Sequence, residues 1–184
     1  MITWEKSAAI LLCAGESRRF ADGDKLLHPL NSMAIVAHAA TMLASLPFAT
    51  RIATVRTEAS SVQAILSGLG FTLVPLAAGA EHAESLRAGI KAGLASGAEA
   101  LCLSLGDMPF VTRDHIAALG AAATPEAPAV TQGPGWTGPP WIASADWVRK
   151  NADSLKSALL RDAMPVAPTA DIVRDIDTVA DLSA

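Results

Sequence analysis

The sequence predicts a three-layer α/β fold on a mostly parallel sheet. Three observations carry this. Short apolar runs of strand length alternate with segments of helical spacing over the first two-thirds of the chain. The runs are continuously apolar, as strands covered on both faces are. The connections between them contain a helix, which implies right-handed crossovers. At 184 residues with 51% hydrophobic side chains, the chain suits one domain spanning 1–184 with a sizeable core.

Taken in order, the elements follow from local chemistry. Ala8 to Cys13 (AAILLC) is a buried strand, stopped by Ala14-Gly15. Ala34 to Leu46 reads as an alanine-rich helix with Ile35, Val36, Ala39, Met42 and Leu43 on one face, ended by Pro47. Arg51 to Val55 is a second strand. Ser60 or Ser61 is placed to cap a helix through Leu69, which ends at Gly68 or Gly70. Phe71 to Val74 is a third strand, stopped by Pro75. A loop with Ala77-Ala78-Gly79-Ala80 leads to a helix from about Ala83 to Ala95. Ala100 to Leu105 (ALCLSL) is the most apolar strand and is expected at the centre of the sheet. Thr112 caps a helix over 113–122. Beyond Thr124 prolines and glycines thicken. Short strands are expected at Ala129 to Thr131 and Trp141 to Ala143, around a loop from Gln132 to Pro140. One or two helices follow between Asp146 and Asp162, then short strands at Val166 and Ile172-Val173, and a terminal turn over Val179 to Leu182. No internal repeat or dividing linker is visible.

Composition narrows the function classes. Net charge is −4 with no basic run, so nucleic acid is not an expected partner, because neutralising its backbone needs clustered Lys and Arg. The local cluster Arg18, Arg19 and Lys25 in an acidic protein points instead to a small anionic ligand. Aromatic residues are only 4%, tyrosine is absent, and mean hydropathy is +0.35. Cys13 and Cys102 lie in apolar runs and read as buried thiols of a reducing compartment. The start of the chain lacks a signal-peptide apolar region, and no segment reaches membrane-spanning length. The expectation is a cytoplasmic protein without membrane partners.

The stretch Ala8 to Val36 carries the first chemical signal. A glycine turn after a buried strand lets backbone N–H groups approach an anion closely. Arg offers a planar fork for phosphate oxygens and Lys a compact point charge. Ala14-Gly15-Glu16-Ser17-Arg18-Arg19 followed by Lys25 therefore suits a polyphosphate, or else is a solvated basic loop at a sheet edge; spacing alone weighs the two evenly. Asp107, in Gly106-Asp107-Met108-Pro109, follows the central strand. It stands at a carboxyl end, where open parallel sheets bind ligands, and can serve as a Mg²⁺ ligand or as a turn aspartate. Asp175 and Asp177 share parity on an extended segment and can face one site. Other motif matches fail. Gly133-Pro134-Gly135-Trp136-Thr137-Gly138 has the letters of a dinucleotide fingerprint, but Pro139-Pro140 forbids the helix it needs. Gly15-Glu16-Ser17 lacks the second glycine of a hydrolase elbow. No Walker A sequence is present, and His28, His38, His82 and His115 show no metal spacing.

Leu12-x-Ala14-Gly15-x-Ser17-x-Arg19-Phe20 and Asp24-Lys25-Leu26-Leu27-x-Pro29-Leu30 resemble the signature of the MobA-like NTP transferases, the molybdenum-cofactor nucleotidyltransferase family. Ser85-Leu86-Arg87-Ala88-Gly89, Gly106-Asp107-Met108-Pro109, Gly138-Pro139, and Asp175-Ile176-Asp177-Thr178 with Asp181-Leu182 follow in the family's order, so the resemblance spans nearly the whole chain. It implies a Rossmann-like nucleotidyltransferase of the nucleotide-diphospho-sugar transferase type. It further implies Mg²⁺ held by Asp107 and Asp177, with Arg19 and Lys25 as the catalytic cations. Leu12, Ala14, Gly15, Ser17, Arg19, Lys25 and Ser85 would bind the nucleotide, and Trp136 and Gly138 the acceptor. Ala14 in place of a second glycine is similar to the cytidine-using branch, so CTP rather than GTP is the expected substrate. A nucleoside monophosphate would pass to a phosphorylated acceptor, molybdopterin or molybdenum cofactor, for a molybdoenzyme client or its chaperone. Tryptophan on the acceptor loop suits stacking on a flat ligand, or simple packing over the core.

Departures bear on the acceptor. The family's glycine after Arg-Phe is Ala21, its Gly-[KR]-Pro is Ser32-Met33-Ala34, and its Gly-Asp-x-Gly-Ala is Ala152-Asp153-Ser154-Leu155-Lys156. Two other readings remain: transfer to a different acceptor, an isoprenoid precursor or a sugar phosphate, and a non-catalytic nucleotide or cofactor carrier of the same fold.

Overall fold

A computed structural model describes residues 2–15, 20, 23–169, 172, 174, 176 and 181. The strands of the main sheet are β1 (Ser7–Cys13), β4 (Thr50–Arg56), β5 (Thr72–Leu76), β6 (Ala100–Leu105), β7 (Ala129–Gly133), β8 (Trp136–Ser144) and β9 (Met164–Val166). Their order is β5-β4-β1-β6-β8-β7-β9. Only β8 runs against its neighbours; β1, β4, β5 and β6 pair parallel, as do β7 and β9. This is the mostly parallel α/β sheet the sequence predicts, with β6 at its centre.

Alternation along β1 explains the three layers. Ala9, Leu11 and Cys13 pack on one face with α1 (Ile35–Ala44), α2 (Ser60–Gly68) and α4 (Arg113–Ala122). Ala8, Ile10 and Leu12 pack on the other with α3 (His82–Ala95), α5 (Ala145–Asn151) and α6 (Leu155–Asp162). A strand with both faces covered cannot carry a polar stripe, hence its unbroken apolar run. Cys13 and Cys102 are buried and unpaired; burial pushes the Cys102 thiol up to about 12. Among the described residues no helix is long and apolar enough to cross a membrane.

Several elements differ from the sequence reading. Pro75 does not stop β5 but lies within it, which the ladder tolerates because β5 is an edge strand. Neither Ser60 nor Ser61 caps α2. Ala59 holds the N-cap position without a side-chain bond, and Gln63 reaches back to the carbonyls of Arg56 and Thr57 at 2.8 and 2.9 Å. Gln132 to Pro140 is not a loop but most of a hairpin. Gly133 pairs with Trp136 across a Pro134-Gly135 turn, and Gly135 has φ +76°, as the third residue of a type II turn requires. Pro139 and Pro140 fall at the register shift opposite Val130/Thr131, where no ladder donor is needed. Ile172 lies in a turn rather than a strand, and of the expected terminal turn only Asp181 is among the described residues.

A small hairpin between β2 (Pro29–Leu30) and β3 (Met33–Ala34) was not foreseen. Its turn residues Asn31 and Ser32 both have positive φ, 49° and 67°. Ser32 therefore keeps a glycine-type backbone where the family pattern has glycine. Ser32→Gly is expected to raise stability by up to about 1 kcal/mol through relief of that strain; an unchanged or lower melting temperature would count against it.

Candidate active site

In parallel order the first four strands read 3-2-1-4, so the order reverses between β1 and β6. Loops leaving the carboxyl ends of two such strands diverge to opposite faces and open a crevice. The β1 loop begins with Ala14, fully buried, and Gly15, exposed with open space around it. The β6 loop begins with Gly106-Asp107. The Gly106 N–H donates to the Leu12 carbonyl at 2.9 Å, and a Cβ on Gly106 would stand 2.6 Å from the Cys13 sulfur. Only glycine lets the two loops approach this closely. Asp107 is thereby fixed near the end of β1, lining one cleft with Gly15, and its carbonyl accepts from the Ile176 N–H at 3.0 Å.

Lys25 comes to the same place by another route. Asp24 caps the short 3₁₀ turn Lys25–Leu27, accepting from the Leu26 N–H at 3.1 Å, and is itself paired with the Arg56 guanidinium at the end of β4. This holds Lys25 so that its Nζ lies 2.7 Å from Asp107 Oδ2, with the two side chains 13% and 20% exposed. The other oxygen, Oδ1, is buried and accepts no hydrogen bond among the described residues. The two carboxylates nearby, together with burial as the larger cause, push the Cys13 thiol well above its usual range. Cys13 is thus a neutral wall.

The structure gathers Leu12, Gly15, Lys25, Ser85 and Asp107 around one cleft of about 70 Å³, which His82 also lines. These are five of the residues expected there. Ser17, Arg19, Asp175 and Asp177 lie outside the described residues. Ser85 is 2% exposed, and its Oγ is 2.7 Å from Thr54 Oγ1, a buried bond that ties α3 to β4. Gly138 lies apart, on β8, at the edge of a second cavity that also meets His82. Trp136, 39% exposed, lays its ring over Gly133 at the hairpin tip and does not line that cavity. Sequence reasoning missed Asp24 and Arg56, which position Lys25, and His82, whose importance depends on α3 beginning at the cleft.

The fit to Mg²⁺ rests on Asp107. Among the described residues no group of three His, Cys, Asp or Glu side chains stands ready as a metal cage. Mg²⁺ does not need one: it takes one or two carboxylates and completes its shell with water and substrate phosphates. A hard oxygen, buried and without a donor among the described residues, in the cleft that Gly15 lines, suits that role.

Gly89 and Gly93 seat α3. A Cβ at Gly89 would fall 2.8 Å from Ile10 Cγ2, and at Gly93 2.9 Å from both Ile10 Cδ1 and Leu101 Cδ2. Gly89→Ala is expected to destabilise by about 1–3 kcal/mol through overpacking, against a helix-propensity gain of about 1 kcal/mol. Gly68→Ala, at a helical position with open space, is the control and is expected to be neutral or stabilising. Chemical denaturation of both checks this, and a more stable Gly89→Ala would refute the packing account.

A phosphate-sized cleft at the switch point of a parallel sheet, lined by a cation, a carboxylate and Gly15, defines a nucleotide-binding α/β protein. The sequence matches the MobA-like NTP transferase domain over residues 9–167, and the chain belongs to that family. No curated protein matches it. Among solved structures it is similar to a nucleotidyl transferase from Methanothermobacter thermautotroptrophicus, at 20% identity and TM-score 0.79, covering 95% of this chain and 93% of that one. It is similar to Rv0371C of Mycobacterium tuberculosis in complex with manganese, at 21% identity and TM-score 0.68, covering 96% and 95%. It is also similar to 4-diphosphocytidyl-2C-methyl-D-erythritol synthase from Anaerococcus prevotii, at 14% identity and TM-score 0.70, covering 96% and 92%.

Proposed function

We propose that this protein transfers CMP from CTP to the phosphate of molybdopterin or molybdenum cofactor, releasing pyrophosphate, with Mg²⁺ held by Asp107 and Asp177. One observation carries the reading: Lys25 and Asp107 meet at the sheet's switch point, in the cleft that Gly15 also lines, with Asp107 Oδ1 unsatisfied among the described residues. Two neighbours support it. One was solved with manganese, and another is named for a diphosphocytidyl product.

The acceptor phosphate attacks the α-phosphorus of CTP, and the bond to the bridging oxygen of the leaving pyrophosphate breaks. An acceptor phosphate has its second pKa near about 6, so it is largely ionised at neutral pH and needs no strong base. Positioning and charge neutralisation remain for the protein. Backbone groups of Ala14 and Gly15, with Ser17, cradle the triphosphate. Lys25, with Arg19, stabilises charge on the α-phosphate and the leaving group. Ser85 supports the base or ribose side of the cleft. Asp107 and Asp177 would hold Mg²⁺, which would supply neutralisation of the phosphate charge. Substrate phosphates compete with Asp107 for Lys25, so the resting ion pair opens as the nucleotide enters.

A pyrophosphate-release screen of four nucleotides against molybdopterin, methylerythritol phosphate and sugar phosphates tests this. CTP is expected to exceed GTP, and Ala14→Gly to narrow the gap. Equal use of CTP and GTP would defeat the base assignment. Tight CTP binding without pyrophosphate from any acceptor would favour a carrier.

A further inference from the structure

Thr54 is a polar residue inside an apolar layer. It lies on β4 between Leu12 of β1 and Val74 of β5, and it is fully buried. A Cβ on Gly89 of α3 would stand 3.4 Å from its methyl carbon, so the helix backbone passes close above it. Ile10, Leu12 and Ile52 share that layer. The Thr54 hydroxyl has a single hydrogen-bond partner among the described residues, Ser85 Oγ at 2.7 Å, and Ser85 Oγ has no other. Ser85 lines the phosphate cleft, whereas Thr54 does not.

Two hydroxyls joined by one hydrogen bond carry two protons and use one. The spare proton belongs to whichever oxygen accepts. On Thr54 it would be stranded among apolar side chains, and a buried donor without an acceptor is costly. On Ser85 it can reach a ligand in the cleft. Thr54 therefore donates, Ser85 accepts, and the Ser85 O–H is left for the cleft. The accepted bond also restricts the directions open to that O–H and polarises it. Resting on the nucleotide-site reading, we infer that Thr54 is a positioning residue for specificity: it makes Ser85 a fixed donor. The cleft then favours a nucleotide that brings an uncharged acceptor, a base carbonyl or a ribose oxygen, against Ser85. Without the Thr54 hydroxyl, Ser85 is free to turn back to the carbonyl one helical turn earlier, at Glu81, as serines within helices do, and the donor is lost to the ligand.

Calorimetric titration of the full chain with Mg²⁺ and α,β-methylene-CTP tests this in Thr54→Val, Thr54→Ser, Ser85→Ala and the double variant Thr54→Val with Ser85→Ala. Thr54→Val keeps nearly the same shape without the hydroxyl. It is expected to weaken binding by about threefold to tenfold, the scale of one neutral hydrogen bond, and Thr54→Ser to retain most of the affinity. In the Ser85→Ala background, Thr54→Val should weaken binding no further, because the two residues act as one unit. A merely structural Thr54 would weaken binding by the same factor in both backgrounds. Ribose 5-triphosphate as a second probe locates the acceptor: sensitivity to Thr54→Val with the CTP analogue alone assigns it to the base, and equal sensitivity assigns it to the ribose. Unchanged affinity in Thr54→Val, or losses that multiply in the double variant, would overturn the inference and leave the nucleotide site standing. An unaltered chain that binds no CTP analogue would overturn the nucleotide reading, and this inference with it.

Discussion

Replacing Asp107 by asparagine is expected to cut Mg²⁺-dependent nucleotidyl transfer by about 10²–10³-fold or more, the scale of losing one preorganised charge contact in a water-poor site. The fold should survive. Asp107 follows the central strand, and its backbone is held by the Gly106–Leu12 and Ile176–Asp107 hydrogen bonds, which do not involve the side chain. Two roles are open to the carboxylate, an ion-pair partner for Lys25 or a metal ligand. They differ in what they require. An amide carbonyl can still accept from an ammonium, but it is a poor substitute for a charged hard oxygen. If Asp107 only paired with Lys25, the variant would keep much of its rate. Binding of CTP without metal should persist or strengthen, because a negative charge facing the triphosphate has gone. Retention of most activity at ordinary Mg²⁺ concentrations would remove Asp107 from the metal site.

Lys25→Ala is expected to lower kcat by about 10²–10³-fold, equivalent to about 2.7–4 kcal/mol of transition-state stabilisation. Its stability effect should be smaller. The Asp107 carboxylate, four-fifths buried in the intact protein, loses the cation at 2.7 Å. An unpaired, largely buried carboxylate costs about 1–3 kcal/mol, and the melting temperature should fall by several degrees. Lys25→Arg separates the effects. It restores a positive charge and most of the stability, yet places a planar fork where a compact ammonium fits, so turnover should recover only in part. Full activity in Lys25→Ala would exclude it from the mechanism.

Much of this was legible in the chain because it is imposed locally. Apolar runs such as Ala8 to Cys13 and Ala100 to Leu105 can only be strands covered twice, and Thr112 caps α4 as expected, accepting from the His115 N–H at 3.3 Å. Two loops that leave adjacent parallel strands must emerge at the same sheet edge, so Gly15 and Asp107 could be placed together before any coordinates. Features that depend on distant partners were not legible. The Arg56–Asp24 pair joins residues 32 positions apart, and nothing near Asp24 announces it. The hairpin of β7 and β8 was hidden by its prolines, which are tolerated only because the register shifts there. Serine at positive φ at Ser32 reads as an ordinary polar residue, since the turn and not the side chain sets its conformation. The second cavity was equally invisible, because Leu86, Trp141 and Leu159 carry no common spacing and converge only through the fold.

On the proposed function, Lys25 and Asp107 serve transfer of the nucleotidyl group of CTP, its α-phosphorus included, from pyrophosphate to a phosphate acceptor. Single-turnover reaction of the full chain with CTP labelled at the α-phosphate, Mg²⁺ and molybdopterin tests it most directly. Label is expected to appear in the acceptor in step with one equivalent of unlabelled pyrophosphate, and a chelator to stop both. Label that remains in intact bound CTP, or leaves as CDP after loss of the γ-phosphate, would contradict it.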